Sequence, residues 1–147
     1  MKIEKATLED VPEIARLFDL YRQFYKCEPN IELARSYLGE RIENNESAIF
    51  IALDDAKPIG FVQMYPSFCS VDAIRIFILY DLFVEADSRN LGVGAMLMDR
   101  AAVYAKDMGA SRVDLLTAVS NEPGQHLYEK LGYERSLDGF LGYSLEI

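Results

Sequence analysis

Gly92 and Gly94 stand where a strand-like run, Asp81 to Val84, passes through a short loop into a segment with helical spacing, Gly92 to Met108. Glycines there bare the backbone where the first N–H groups of a helix lack an internal partner, and the positive helix end favours an anion. A pyrophosphate could be held on such a turn without many basic side chains. Two glycines at a helix start also simply ease packing, so the pair alone is a weak signal. The third glycine of a dinucleotide fingerprint and the Gly-Lys-Ser/Thr ending of a triphosphate loop are both missing, which argues against a Rossmann oxidoreductase or a nucleotide triphosphatase.

The second chemical feature is Asp81, which interrupts the apolar run Ile74 to Val84. A carboxylate buried in a strand is costly without a purpose. It is either a candidate general base or an ion pair or cap within the fold. Tyr80 is its neighbour, and strict strand alternation would send the two to opposite faces. Glu85, at the strand end, is a weaker candidate base. His126 is the only histidine and sits beside Gln125 on a polar helix face, so a metal site has no support.

The elements that must position these residues follow from periodicity. Lys2 to Ala6 alternates as a strand, and Ile14, Leu17, Phe18 and Tyr21 recur as one face of a helix. Glu28-Pro29-Asn30 breaks that helix, and a second runs to about Asn44-Asn45. Ala48 to Leu53 and Ile59 to Tyr65 form a hairpin about Asp54 to Lys57, and Ile74 to Val84 reads as a long central strand. After the helix ending at Gly109 come a strand, Val113 to Thr117, and a helix from Asn121-Glu122-Pro123 to Gly132. Two short strand candidates lie around Gly139. The order predicts one α/β domain over residues 1–147, a mixed sheet with helices on its faces.

The chain has 147 residues, 50% of them hydrophobic, a size and texture suited to one core. Net charge is −9, from 24 acidic and 15 basic residues, which repels nucleic acid and anionic membrane. A cationic small molecule suits that charge, which also serves solubility. No signal peptide or run of 18 apolar residues is present, so a cytoplasmic location is expected. Cys27 and Cys69 are expected to be free, buried or half-buried thiols.

Arg89-Asn90-Leu91-Gly92-Val93-Gly94 resembles the Q/R-x-x-G-x-G/A signature of the GNAT superfamily of N-acetyltransferases, in the strand-loop-helix context of that family. Asn121, Tyr128 and the stretch Leu127 to Tyr133, ending in Gly-aromatic, resemble its later motif. The likeness covers essentially the whole chain. It implies a mostly antiparallel sheet of about six to seven strands flanked by about four helices, with acetyl-CoA as co-substrate and no metal. It further implies pyrophosphate on backbone amides of Arg89, Asn90, Leu91, Gly92, Val93, Gly94 and Ala95, and pantetheine and acetyl carbonyl against Leu82, Phe83 and Val84. Asn121 would bind the cofactor arm, and Tyr128 would be general acid to the departing thiolate. Gly124 departs from the family's common alanine, a change expected to touch no chemistry.

Within the superfamily the chain is most similar to diamine and polyamine N-acetyltransferases, through Asp81-x-Phe83-Val84, the glycine signature and Asn121-Glu122-Pro123, although that group has glutamate where Tyr80 stands. An aromatic, acidic cradle for an ammonium group is expected from Tyr21, Phe24, Tyr25, Glu28, Tyr65, Phe68 and Tyr80, several of which could instead be core. An alkylamine of pKa about 10.4 is neutral about once in 2,500 molecules at pH 7, a gap of roughly 4.6 kcal/mol, so a base is needed. The expected reaction is direct transfer to a primary amine through a tetrahedral intermediate. Acetylation of a protein lysine or N-terminus, and a non-catalytic acetyl-CoA sensor, are the alternatives. Family habit and the apolar C-terminal segment predict a homodimer.

Overall fold

A computed structural model describes residues 1–147, which divide into two compact units, Met1–Leu116 and Thr117–Ile147. In the first, strand β1 (Lys2–Lys5) leads through a 3₁₀ turn to helix α1 (Val11–Phe24). The Asp10 carboxylate accepts from the Thr7 N–H at 2.8 Å, and Pro12 occupies the first turn of α1, where its missing N–H would have had no partner. The buried Asp19 side chain accepts from the Asn30 N–H at 2.9 Å, tying α1 to the start of helix α2 (Ile31–Glu43). Asn30 in turn caps α2 by accepting from the Leu33 N–H at 3.1 Å.

Strands β2 (Ala48–Asp54) and β3 (Lys57–Cys69) meet at Asp55 and Ala56, both with left-handed backbone, φ 46° and 68°, a two-residue turn whose twist suits paired strands. Strand β4 (Ile74–Val84) follows, then helix α3 (Val93–Asp107) and strand β5 (Arg112–Asp114). The sheet runs in the order β1-β2-β3-β4-β5, antiparallel except for the parallel β4–β5 pair. Register aligns Ile49, Gln63 and Asp81 across three strands, and likewise Ile51, Phe61 and Phe83. That face carries the core shared with α1 and α2, where Ile14, Leu17, Phe18, Ala34 and Leu38 are buried. The opposite face meets α3, with the rings of Phe50 and Phe77 against Tyr104.

The sheet has five strands where six to seven were expected, and β5 is shorter than the expected Val113 to Thr117. Pairing limits it: β5 meets β4 only at Ile76–Ile78. From Leu79 to Val84, β4 therefore has β3 on one side and no strand on the other. β3 is longer than expected and continues past Pro66 to Cys69, paired to Ile74.

In the second unit, helix α4 (Glu122–Lys130) begins at Asn121 and ends before Gly132. No strand forms in 133–147. An alternating sequence is only half of a strand, because its backbone groups also need a paired neighbour, and none runs beside this segment. Around Gly139 the chain turns instead, with the Phe140 N–H donating to the Leu137 carbonyl at 3.1 Å. No helix of the protein is long and apolar enough to cross a membrane.

Candidate active site

Backbone conformation prepares the start of α3 for an anion. Asn90 and Gly92 both lie in the left-handed region, φ 63° and 80°, turning the chain sharply before the helix. The first N–H inside α3 to meet a carbonyl is that of Met96, on Gly92 at 3.1 Å, so the N–H groups of Val93, Gly94 and Ala95 precede the helical ladder. Such N–H groups, with the helix dipole behind them, suit phosphate oxygens. Arg89 steadies the approach: its Nε donates to the Val84 carbonyl at 2.9 Å and its guanidinium lies 5.7 Å from the Phe83 ring centre. The open β4 edge at Leu82, Phe83 and Val84 presents backbone groups to an extended, amide-bearing partner.

Upstream on β4 the pleat is broken. Gln63 pairs with Asp81 and Met64 with Leu79, which leaves Tyr80 as the extra residue of a β-bulge. The expectation that Tyr80 and Asp81 take opposite faces fails for this reason. The Tyr80 ring meets Tyr65 edge-on at 5.7 Å, and Tyr65 shares the face of Gln63, which holds Asp81. The same bulge leaves Tyr80 65% exposed while Asp81 is only 4% exposed.

Asp81 has no ion pair, contrary to one of its alternatives; its Oδ2 accepts from Gln63 Nε2 at 2.6 Å. Burial pushes its carboxyl above the usual carboxylate range, while hydrogen bonds from Gln63 and Tyr21 pull the other way, with burial prevailing. Around it the structure brings together Tyr21, Tyr25, Tyr65 and Tyr80. The Tyr21 hydroxyl, beside Asp81, also lies 3.3 Å from the Tyr80 carbonyl, so its one hydrogen serves either acceptor, and its ring packs edge-on against Tyr25 at 5.2 Å. Tyr65 and Tyr37 share a 2.6 Å hydrogen bond, and burial followed by that bond pushes the Tyr65 hydroxyl pKa up.

Two members of the expected cradle lie elsewhere. Glu28 is exposed, beyond the left-handed turn at Lys26, with no polar contact to the tyrosines. Phe68 packs with Arg75 at 5.0 Å, near the distal end of β3. Glu85, the weaker candidate base, is committed to ion pairs with Arg16 at 2.5 Å and Lys57 at 3.7 Å, which pin the end of β4 to α1 and β3. Between α1 and that strand end lies a cleft of about 520 Å³, walled by Leu20, Gln23 and Phe24 on one side and Phe83, Glu85 and Arg89 on the other. Asp81 is two residues along β4 from Phe83 and on its face.

Gln63, Tyr37 and Ser47 were missed by sequence reasoning. For Gln63 a signal existed: a polar residue amid the apolar strand Ile59 to Tyr65 raises the same question as Asp81.

In the second unit, Asn121 caps α4, its Oδ1 accepting from the Gly124 N–H at 3.2 Å, and its Nδ2 donates to Thr117 Oγ1 at 2.9 Å. A Cβ on Gly124 would fall 2.4 Å from Asn121 Nδ2. Gly124 thus touches a candidate cofactor ligand, which corrects the expectation that the glycine costs only helix propensity and touches no proposed chemistry. Tyr128 lies on α4 with its ring 6.3 Å from that of Tyr133. His126 is exposed, and both cysteines are free and half-buried.

Over residues 14–133 the sequence matches the acetyltransferase (GNAT) family. It is 42% identical to the uncharacterized N-acetyltransferase YhfO of Bacillus subtilis strain 168, across all of this chain and 98% of that one. A solved structure of a "probable acetyltransferase" shares the fold with a TM-score of 0.91 at 37% identity, covering 100% of this chain and 98% of the other. A "predicted acetyltransferase" from Clostridium acetobutylicum, solved with acetyl-CoA, shares the fold with a TM-score of 0.79 at 19% identity, over 97% of this chain and 95% of that one. With the family match running from within α1 to Tyr133, three residues past α4, and a full-length relative at 42% identity, the chain belongs to the GNAT family of acetyltransferases.

Proposed function

We propose that this acetyltransferase moves the acetyl group of acetyl-CoA onto the primary amine of a small cationic molecule, polyamine- or lysine-like, by direct attack. The observation that carries the amine assignment is Asp81, a carboxylate without a cation partner, 4% exposed, among tyrosines on the face beside the open β4 edge. A raised carboxyl pKa makes a better base, and tyrosine faces suit an ammonium group.

Acetyl-CoA supplies an activated acyl group, a thioester carbonyl open to an amine lone pair. On the protein side, the N–H groups of Val93, Gly94 and Ala95 bind pyrophosphate, and the backbone of Leu82, Phe83 and Val84 aligns the pantetheine arm and stabilises the oxyanion. Asp81 takes the ammonium proton. Its burial excludes broad contact with the amine, so the proton crosses the Tyr21 hydroxyl or a water. Asn121 holds the cofactor arm and Tyr128 protonates the leaving thiolate, roles supported by the family resemblance. Asp81→Asn tests the proposal: kcat/KM should fall about 10²- to 10⁴-fold with CoA affinity retained. Unchanged turnover would refute the role of Asp81.

A further inference from the structure

Beneath the site runs a polar chain that the proposed reaction does not yet use. Ser47, at the entry to β2, donates from Oγ to Gln63 Oε1 at 2.8 Å, and Gln63 Nε2 donates to Asp81 Oδ2 at 2.6 Å. Gln63 is 0% exposed and stands among Phe61, Val62 and Met64, all equally buried. A buried amide there is costly unless both its ends are bonded, and both are. The arrangement also has a sense. With the serine hydroxyl donating to Oε1, the amide turns its NH₂ end to the carboxyl group. An ionised carboxylate only accepts, so this orientation matches the deprotonated form of Asp81.

We infer that Gln63, oriented by Ser47, is a positioning residue for the base: it keeps Asp81 ionised and in one rotamer inside an otherwise apolar strand. The inference rests on the role of Asp81 proposed above. The other titratable groups around Asp81 are Tyr21 from α1 with Tyr25 against it, Tyr80 next to it on β4, and Tyr65 from β3, the last bonded to Tyr37 of α2 and influenced by Arg41; no Lys or Arg pairs with the carboxylate. Gln63 is thus the only amide among its hydrogen-bond donors.

The test is the pH profile of kcat/KM for acetyl transfer in the wild type, Gln63→Leu, Ser47→Ala and Asp81→Asn, each checked for a CoA-induced thermal shift. Losing a hydrogen bond to the charged form should move the acid limb of Gln63→Leu upward by about 1–2 pH units. Ser47→Ala, a milder change at a half-buried site, should move it the same way by less, and it carries the test if Gln63→Leu does not fold. Asp81→Asn should abolish the limb. A limb that stays in place in Gln63→Leu, or in Ser47→Ala should that variant alone fold, while Asp81→Asn removes it overturns the role of Gln63 and leaves that of Asp81 intact. A limb that survives in Asp81→Asn overturns both.

Discussion

Gly124→Ala sets helix propensity against a specific contact. On propensity alone, alanine in α4 should stabilise by at most about 1 kcal/mol. Its Cβ, however, would lie 2.4 Å from Asn121 Nδ2, 2.9 Å from Cγ and 3.0 Å from Oδ1, so the asparagine must swing away. Swinging gives up the cap bond to the Gly124 N–H, worth about 1 kcal/mol, and the bond to Thr117, worth about another. The balance is a loss of about 1 kcal/mol, which lowers Tm by about 2–4 °C in a chain of this size. Calorimetry at neutral pH reads it. In an Asn121→Ala background the obstruction is gone, and the same glycine substitution should raise Tm instead. A rise in the wild-type background would refute the reasoning, because it would mean that Asn121 does not hold the cap against which the Cβ collides.

Other expectations concern the turn, the base, the acid and assembly. Gly92→Ala meets no atom within 4 Å but must hold φ 80°, costing about 1–2 kcal/mol; Tm should fall by about 2–8 °C and the CoA-induced shift should shrink, and an unchanged melt would refute the left-handed turn. Because the folded state raises the Asp81 pKa, it binds that proton more tightly than the unfolded chain does, so the group's contribution to stability declines as pH rises above the ordinary carboxylate range. Asp81→Asn keeps an oxygen for Gln63, and its Tm advantage over wild type should grow as pH rises above the ordinary carboxylate range; a flat difference would contradict the raised pKa. Tyr128→Phe should lower kcat with CoA binding preserved, and unchanged turnover at saturating substrate would remove its role as acid. A dimer is expected from Leu141, Tyr143, Leu145 and Ile147, whose alternation finds no strand within the chain, and light scattering showing a monomer at micromolar concentration would remove it.

The local signals that were legible in the sequence are those with a local cause. Glu28-Pro29-Asn30 separates the first two helices, the turn at Asp54 to Lys57 closes the hairpin, and Gly92 opens α3, each a signal carried by a few neighbouring residues. Asp81 was legible because charge in an apolar strand is costly. The bulge at Tyr80 was not, because it is a register difference between two strands and neither strand alone contains it. The same holds for the link between Gln63 and Ser47, sixteen residues apart and joined only by the β2–β3 pairing. Glu28 looked suitable by composition, yet the turn at Lys26 carries it away from the tyrosines. The strands expected near Gly139 had the right alternation but no neighbour, and pairing is a property of two segments.

The central claim, acetyl transfer to a small cationic primary amine, is tested most directly by thiol release from acetyl-CoA across polyamines, lysine analogues, aminoglycosides and short peptides. Release with a cationic small-molecule amine, lost in Asp81→Asn, is the predicted result. A CoA-induced thermal shift with no release for any amine, or release with peptides alone, would contradict it.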